Sequence, residues 1–127
     1  MFVGVARLLI EIPEAGSLKD KRRVVKGFKD RMRARLPISI AEVGEPDRHT
    51  LATLGVVTVS SAAKRCHETL NAATRMAETL GDASLVEVTT EVVPFGTDGR
   101  SVGTTWPQGT LSGGPADDEP LPWEDET

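Results

Sequence analysis

Twice along this 127-residue chain the spacing of apolar residues switches from every second residue to every third or fourth and back again. Period two marks a strand and period 3.6 a helix, so the pattern restricts the chain to arrangements of two strand–helix–strand halves. In residues 2–12 (FVGVARLLIEI), Gly4, Ala6, Leu8, Ile10 and Ile12 fall on one side and Val3, Val5, Arg7, Leu9 and Glu11 on the other. Pro13 and Gly16 end this strand. Ser17, with Asp20 three residues on, reads as an N-cap with a capping-box acid. The helix it opens runs from about Leu18 to Leu36 and is stopped by Pro37. Leu18, Val24, Val25, Phe28, Met32 and Leu36 share one face, the face expected to pack on a core.

A second strand is expected over Ile38–Val43, with Gly44-Glu45-Pro46-Asp47 as the turn after it. Residues 53–60 (TLGVVTVS) form a third. Ser60 or Ser61 is expected to cap a second helix, in which Cys66, Leu70, Ala73, Ala77 and Leu80 recur at alternating steps of four and three. Gly81 would close it in a left-handed conformation. Leu85–Pro94 completes the set, with Val86, Val88, Thr90 and Val92 expected on one face. The order βαββαβ, with right-handed crossovers, predicts an α+β ferredoxin-like sandwich: a four-stranded antiparallel sheet with two helices on one face. Beyond residue 95 glycine and proline become frequent and acids gather, so the expected division is a domain over 1–95 and a disordered acidic tail over 96–127.

The net charge of −4 conceals a segregation. Residues 1–37 carry 10 Lys/Arg against 4 Asp/Glu, residues 38–96 carry 4 against 8, and residues 97–127 carry 1 against 7. Asymmetry of this kind bears on partners more than on fold. No apolar run is long enough for a membrane span or a secretory signal, and a lone cysteine, Cys66, fits a reducing compartment, so a cytoplasmic location is expected. Cys66 falls on the core stripe of the second helix, as a buried inert thiol would. His49 and His67 have no Glu or His at metal-ligand spacing, and no phosphate-loop, dinucleotide or nucleophile-elbow motif occurs. The expectation is therefore no catalytic residue, no metal, no cofactor and no small-molecule substrate.

The segments Val3-Gly4, Ser17-Leu18-Lys19-Asp20-Lys21-Arg22-Arg23, Ser39-Ile40-Ala41-Glu42-Val43, Leu54-Gly55 and the valine-rich strand ending at Ser60 resemble, in this order, the YlxP-like family (domain of unknown function 503). The resemblance covers residues 1 to about 93. It implies a ferredoxin-like fold and an RNA or ribosome context, because genes of this family tend to sit beside those for transcription elongation, translation initiation and ribosome maturation factors. It implies no active site. Where relatives commonly carry Asn and Asp after the third strand's serine, this chain has Ser61-Ala62.

The first helix carries the functional candidates. Lys19, Arg22, Arg23, Lys26, Lys29 and Arg33 share roughly 120° of its wheel, interrupted only by Asp30, in a stripe about 20 Å long. Such a stripe can lie along several phosphates, with Arg clasping them bidentately. The alternative is a solvated helix face. Base stacking on the open sheet face is not expected, since the chain has no Tyr and its central strands present no aromatic pair. That face instead carries Val3, Val5 and Leu9, which points to a homodimer through the sheet or to coverage by the tail with its Trp106 and Trp123. Trp123, Glu124 and Asp125 have the composition of a short partner-docking peptide. Ser39 and Glu42 are the polar pair within the second strand, and Glu42 is expected to salt-bridge the first helix at Lys21 or Arg22.

Two readings follow. The first is a non-enzymatic RNA-binding or ribosome-associated accessory protein whose basic stripe meets phosphates under modulation by the acidic tail. The second is a protein-interaction adaptor that dimerises through its sheet and docks partners with the tail.

Overall fold

The alternation of residues 2–12 yields β1 (Phe2–Glu11), whose even-numbered residues are buried from Gly4 to Ile10. In the structure, a computed structural model that describes residues 1–96, it is followed by α1 (Leu18–Arg35), β2 (Ser39–Gly44), β3 (Leu51–Ser60), α2 (Ala63–Glu78) and β4 (Ser84–Pro94). The strands form one antiparallel sheet in the order β2-β3-β1-β4, the ferredoxin-like arrangement expected from the sequence. Both helices contribute to a single core on one side of it. Phe28 and Met32 of α1 join Leu70, Ala73 and Ala77 of α2 over Ala6, Leu8, Ile10, Leu54 and Val56. α1 packs against β2 and β3, while α2 packs chiefly against β1 and β4. Among the described residues no helix is long and apolar enough to cross a membrane.

The start of α1 is capped as its residues dictate. The Ser17 hydroxyl accepts from the Asp20 amide at 3.1 Å, and the Asp20 carboxylate accepts in return from the Gly16 amide at 3.1 Å. Both ends of α2 depart from expectation. Its N-cap is Ala62, which makes no side-chain cap. The Ser60 hydroxyl accepts from the Ala62 amide at 3.1 Å instead, a turn bond made before the helix begins. At the other end Thr79 is the C-cap, its amide and hydroxyl both donating to the Met76 carbonyl, so the helix closes before Gly81 and needs no left-handed glycine there.

β4 also differs. Ile10 pairs with Leu85 but Leu9 pairs with Glu87, so Val86 is the extra residue of a bulge. Leu85, not Val86, thus joins Val88, Thr90 and Val92 opposite the helix-facing residues of β1. The β2–β3 pairing has a similar shift between Glu42 and Gly44.

At Gly4 of β1, side chains of α2 and β3 leave no room for a Cβ. A Cβ there would lie 3.0 Å from the Thr58 methyl, 3.1 Å from Leu70 Cδ1 and 3.2 Å from Cys66 Cβ. All three neighbours are buried. Gly4→Ala should therefore overpack the core and destabilise the fold by about 1–3 kcal/mol in urea unfolding. An unchanged midpoint would show that α2 can shift without cost.

Candidate nucleic-acid interface

The placement of the basic helix depends on a lysine that points away from its basic face. Lys21 is 1% exposed, among Val25, Phe28 and Met32 on the core side of α1. Its Nζ donates to the Glu45 carbonyl at 2.6 Å and the Leu51 carbonyl at 3.0 Å, and lies 2.8 Å from Glu42 Oε2. The carboxylate oxygen is out of line for a directed hydrogen bond and has no other partner, so that contact is an ion pair. One ammonium thus joins α1 to the end of β2, the turn and the start of β3. Glu45 stands in the left-handed region (φ 60°), which costs a non-glycine residue on the order of 1–3 kcal/mol, and the Lys21 bond helps to hold it there.

The expected salt bridge from Glu42 to α1 is therefore present, with Lys21 and not Arg22 as its partner. The helical wheel explains the choice, since Lys21 falls between Phe28 and Met32 in angle while Arg22 falls on the solvent side. Ser17–Arg23 and Ser39–Val43, two stretches that carry the family resemblance, meet at this ion pair.

The other end of α1 is pinned more lightly. Arg33 donates to the Ile40 carbonyl at 3.0 Å, covering part of the β2 edge, and the Thr58 hydroxyl donates to the Pro37 carbonyl at 2.9 Å.

With its core side fixed, α1 turns the cations outward. Lys19, Arg22, Arg23, Lys26 and Arg33 are exposed, and Lys29 is half-buried beside them. The stripe is less bare than its sequence suggests. Asp30 lies 2.9 Å from Lys26 and 3.5 Å from Arg33, and Asp20 lies 3.7 Å from Arg23. The hydrogen bond from Lys26, with the charges of Lys26, Arg33 and Lys29, holds the Asp30 carboxyl below the ordinary carboxylate range, so it stays ionised at neutral pH. These pairs are solvent-exposed and weak, within reach of competition by a phosphate. Among the described residues, Lys19, Arg22 and Lys29 make no ion pair.

Sequence reasoning left out Arg31. It is exposed on the α2-facing flank of α1 and lines, with Arg23, Gly27 and Asp82, a cleft of about 250 Å³ beside Leu80. The signal was present in its wheel position, opposite the main stripe across Arg23. The partner-docking residues Trp123, Glu124 and Asp125 lie outside the described residues.

Comparison with known proteins places these features in context. A family model described as "Protein of unknown function (DUF503)" matches residues 3–90. An uncharacterised protein of Bacillus subtilis (strain 168), YlxP, is 37% identical over 60 residues, a match spanning 47% of this chain and 65% of that relative. Two de novo designed proteins are similar in backbone. Foldit4 is 11% identical, with a TM-score of 0.45 over 75% of this chain and 99% of the design. A design with a ferredoxin fold is 13% identical, with a TM-score of 0.45 over 84% of this chain and 97% of its own. The fold assignment rests on the strand order and pairing above.

Lys21→Met should remove the ion pair and orphan two carbonyls together with Glu42, destabilising the fold by about 3–5 kcal/mol in urea unfolding. Glu42→Gln should cost less, because Lys21 keeps both carbonyl bonds. Equal losses for the two, or a loss under about 1 kcal/mol for Lys21→Met, would contradict the role given to this lysine.

Proposed function

The chain belongs to the DUF503 family of proteins of unknown function, and we propose that it is a non-enzymatic, RNA-binding or ribosome-associated accessory protein. The observation that carries the reading is the solvent face of α1, where Lys19, Arg22, Arg23, Lys26, Lys29 and Arg33 are opposed only by Asp20 and Asp30. A helix face that only needed solvation would mix its signs more evenly. The gene neighbourhood implied by the family resemblance points the same way.

Recognition in this reading is of the backbone. Lys and Arg along a rigid helix neutralise successive phosphates and release counterions, which gives affinity with little sequence preference. The β2–β3 sheet beneath α1 holds the helix backbone that spaces the cations, so little backbone freedom is lost on binding. The acidic end, with 7 acids against 1 base over residues 97–127, opposes polyanion binding electrostatically.

Fluorescence anisotropy with labelled RNA is expected to show binding that weakens with salt at a log–log slope between roughly −3 and −5, as four to six phosphate contacts require. Arg22→Glu combined with Lys26→Glu should abolish it, and removal of residues 97–127 should strengthen it. No binding near physiological salt by the intact or the shortened chain would overturn the reading.

A further inference from the structure

We propose that the sheet face not covered by helices is a homodimer interface, in which the same face of a second copy packs against it. Strand register lays out this face in rows. Val3 lies between Val59 and Val93, Val5 between Val57 and Glu91, Arg7 between Gly55 and Thr89, and Leu9 between Thr53 and Glu87. Val5, Val57 and Val59 are 42%, 41% and 60% exposed, and together with Val3 and Val93 they make one contiguous apolar patch. A patch of that kind on a surface facing water marks a binding site or an aggregation liability.

Charge identifies the occupant. Arg7 is the only cation on the described part of the β1 and β4 rows, and Glu87 and Glu91 stand on the neighbouring strand one row to either side of it. Arg7 pairs with no described carboxylate in its own chain. A two-fold axis lying between the two faces over the Val5–Val57 pair, inclined to the strands, would stack Val5 and Val57 of the two copies and bring Arg7 of each towards Glu91 of the other, since both lie about 7 Å from that centre. That is the self-complementarity an isologous interface needs. A uniformly acidic or basic partner would leave one of these charges opposed by its like.

The area suffices. Three strands of ten or eleven residues and one of six, side by side, present a face of roughly 600 Å². Two copies would bury about 1,200 Å², the lower end of the range for specific complexes. α1 lies on the opposite side of the sheet, so the dimer would leave both basic faces open on its outer layers. The proposal does not depend on what those faces bind.

The test is the mass of the full chain in solution, by light scattering after size exclusion and by sedimentation equilibrium. At about 100 µM, above the micromolar dissociation constants of the weaker interfaces of this size, twice the chain mass is expected. Val57→Lys should give a monomer with unchanged circular dichroism. Arg7→Glu should weaken the dimer about tenfold, and adding Glu91→Arg to it should restore the affinity. The charge swap examines the same contact should Val57→Lys fail to fold. A monomer at every concentration, as when the chain covers the face itself, or a dimer indifferent to both Val57→Lys and Arg7→Glu, would overturn the proposal.

Discussion

A single buried ammonium sets the geometry on which the outer surface of this protein depends. Lys21 satisfies the Glu45 and Leu51 carbonyls and faces the Glu42 carboxylate, and it does so from within the apolar side of α1. Hydrophobic burial of Val25, Phe28 and Met32 brings the helix onto the sheet but is indifferent to small slides and rotations. The three contacts of Lys21 are directional or charged, and they reach both β2 and β3. They therefore fix the rotation of α1 and, with it, which residues look outward. A buried pair of this kind adds little net stability over a well-packed apolar substitute, and its effect is best understood as specification.

The layers of the sandwich consequently differ in chemistry. On the helix side, burial of one face of α1 leaves cations on the other, tempered by Asp20 and Asp30 at helical spacings. On the opposite side, β1 and β3 expose valines where a sheet facing water would ordinarily alternate with polar groups. A surface that is cationic on one side and apolar on the other can serve two unlike partners at once. The edges are handled separately. Arg33 covers a carbonyl at the β2 edge, and β4 is bent by the bulge at Val86.

The parts of the structure that were legible in the sequence are those decided locally or by periodicity. The alternation of residues 2–12, the Ser17 cap with Asp20, the stop at Pro37 and the Cys66–Ala77 part of the second stripe, Leu80 falling beyond the helix end, each carry their own physical cause, and together they give the strand and helix order from which the topology follows. The ends of α2 were not legible. Two adjacent serines and a glycine offered good caps, but Ser60 is held as the last residue of β3, and a Thr79 turn bond closes the helix first. The bulge at Val86 was hidden because it arises from register against β1, which no spacing within β4 records. Burial of Lys21 was half legible. Its angle on the wheel and the unpartnered Glu42 both pointed to it, yet the two carbonyls it also binds come from a turn whose path the sequence does not specify.

If the basic face of α1 meets nucleic acid as proposed, the most direct measurement is an amide chemical-shift map of the isotope-labelled protein titrated with a short RNA. Shifts concentrated on α1, around Lys19, Arg22, Lys26 and Lys29 and extending to Arg23 and Arg33, with the open-face residues Val3, Val5 and Val57 unmoved, are the predicted result. Shifts gathered on the open face with α1 silent, or no shifts at all at low salt, would contradict it.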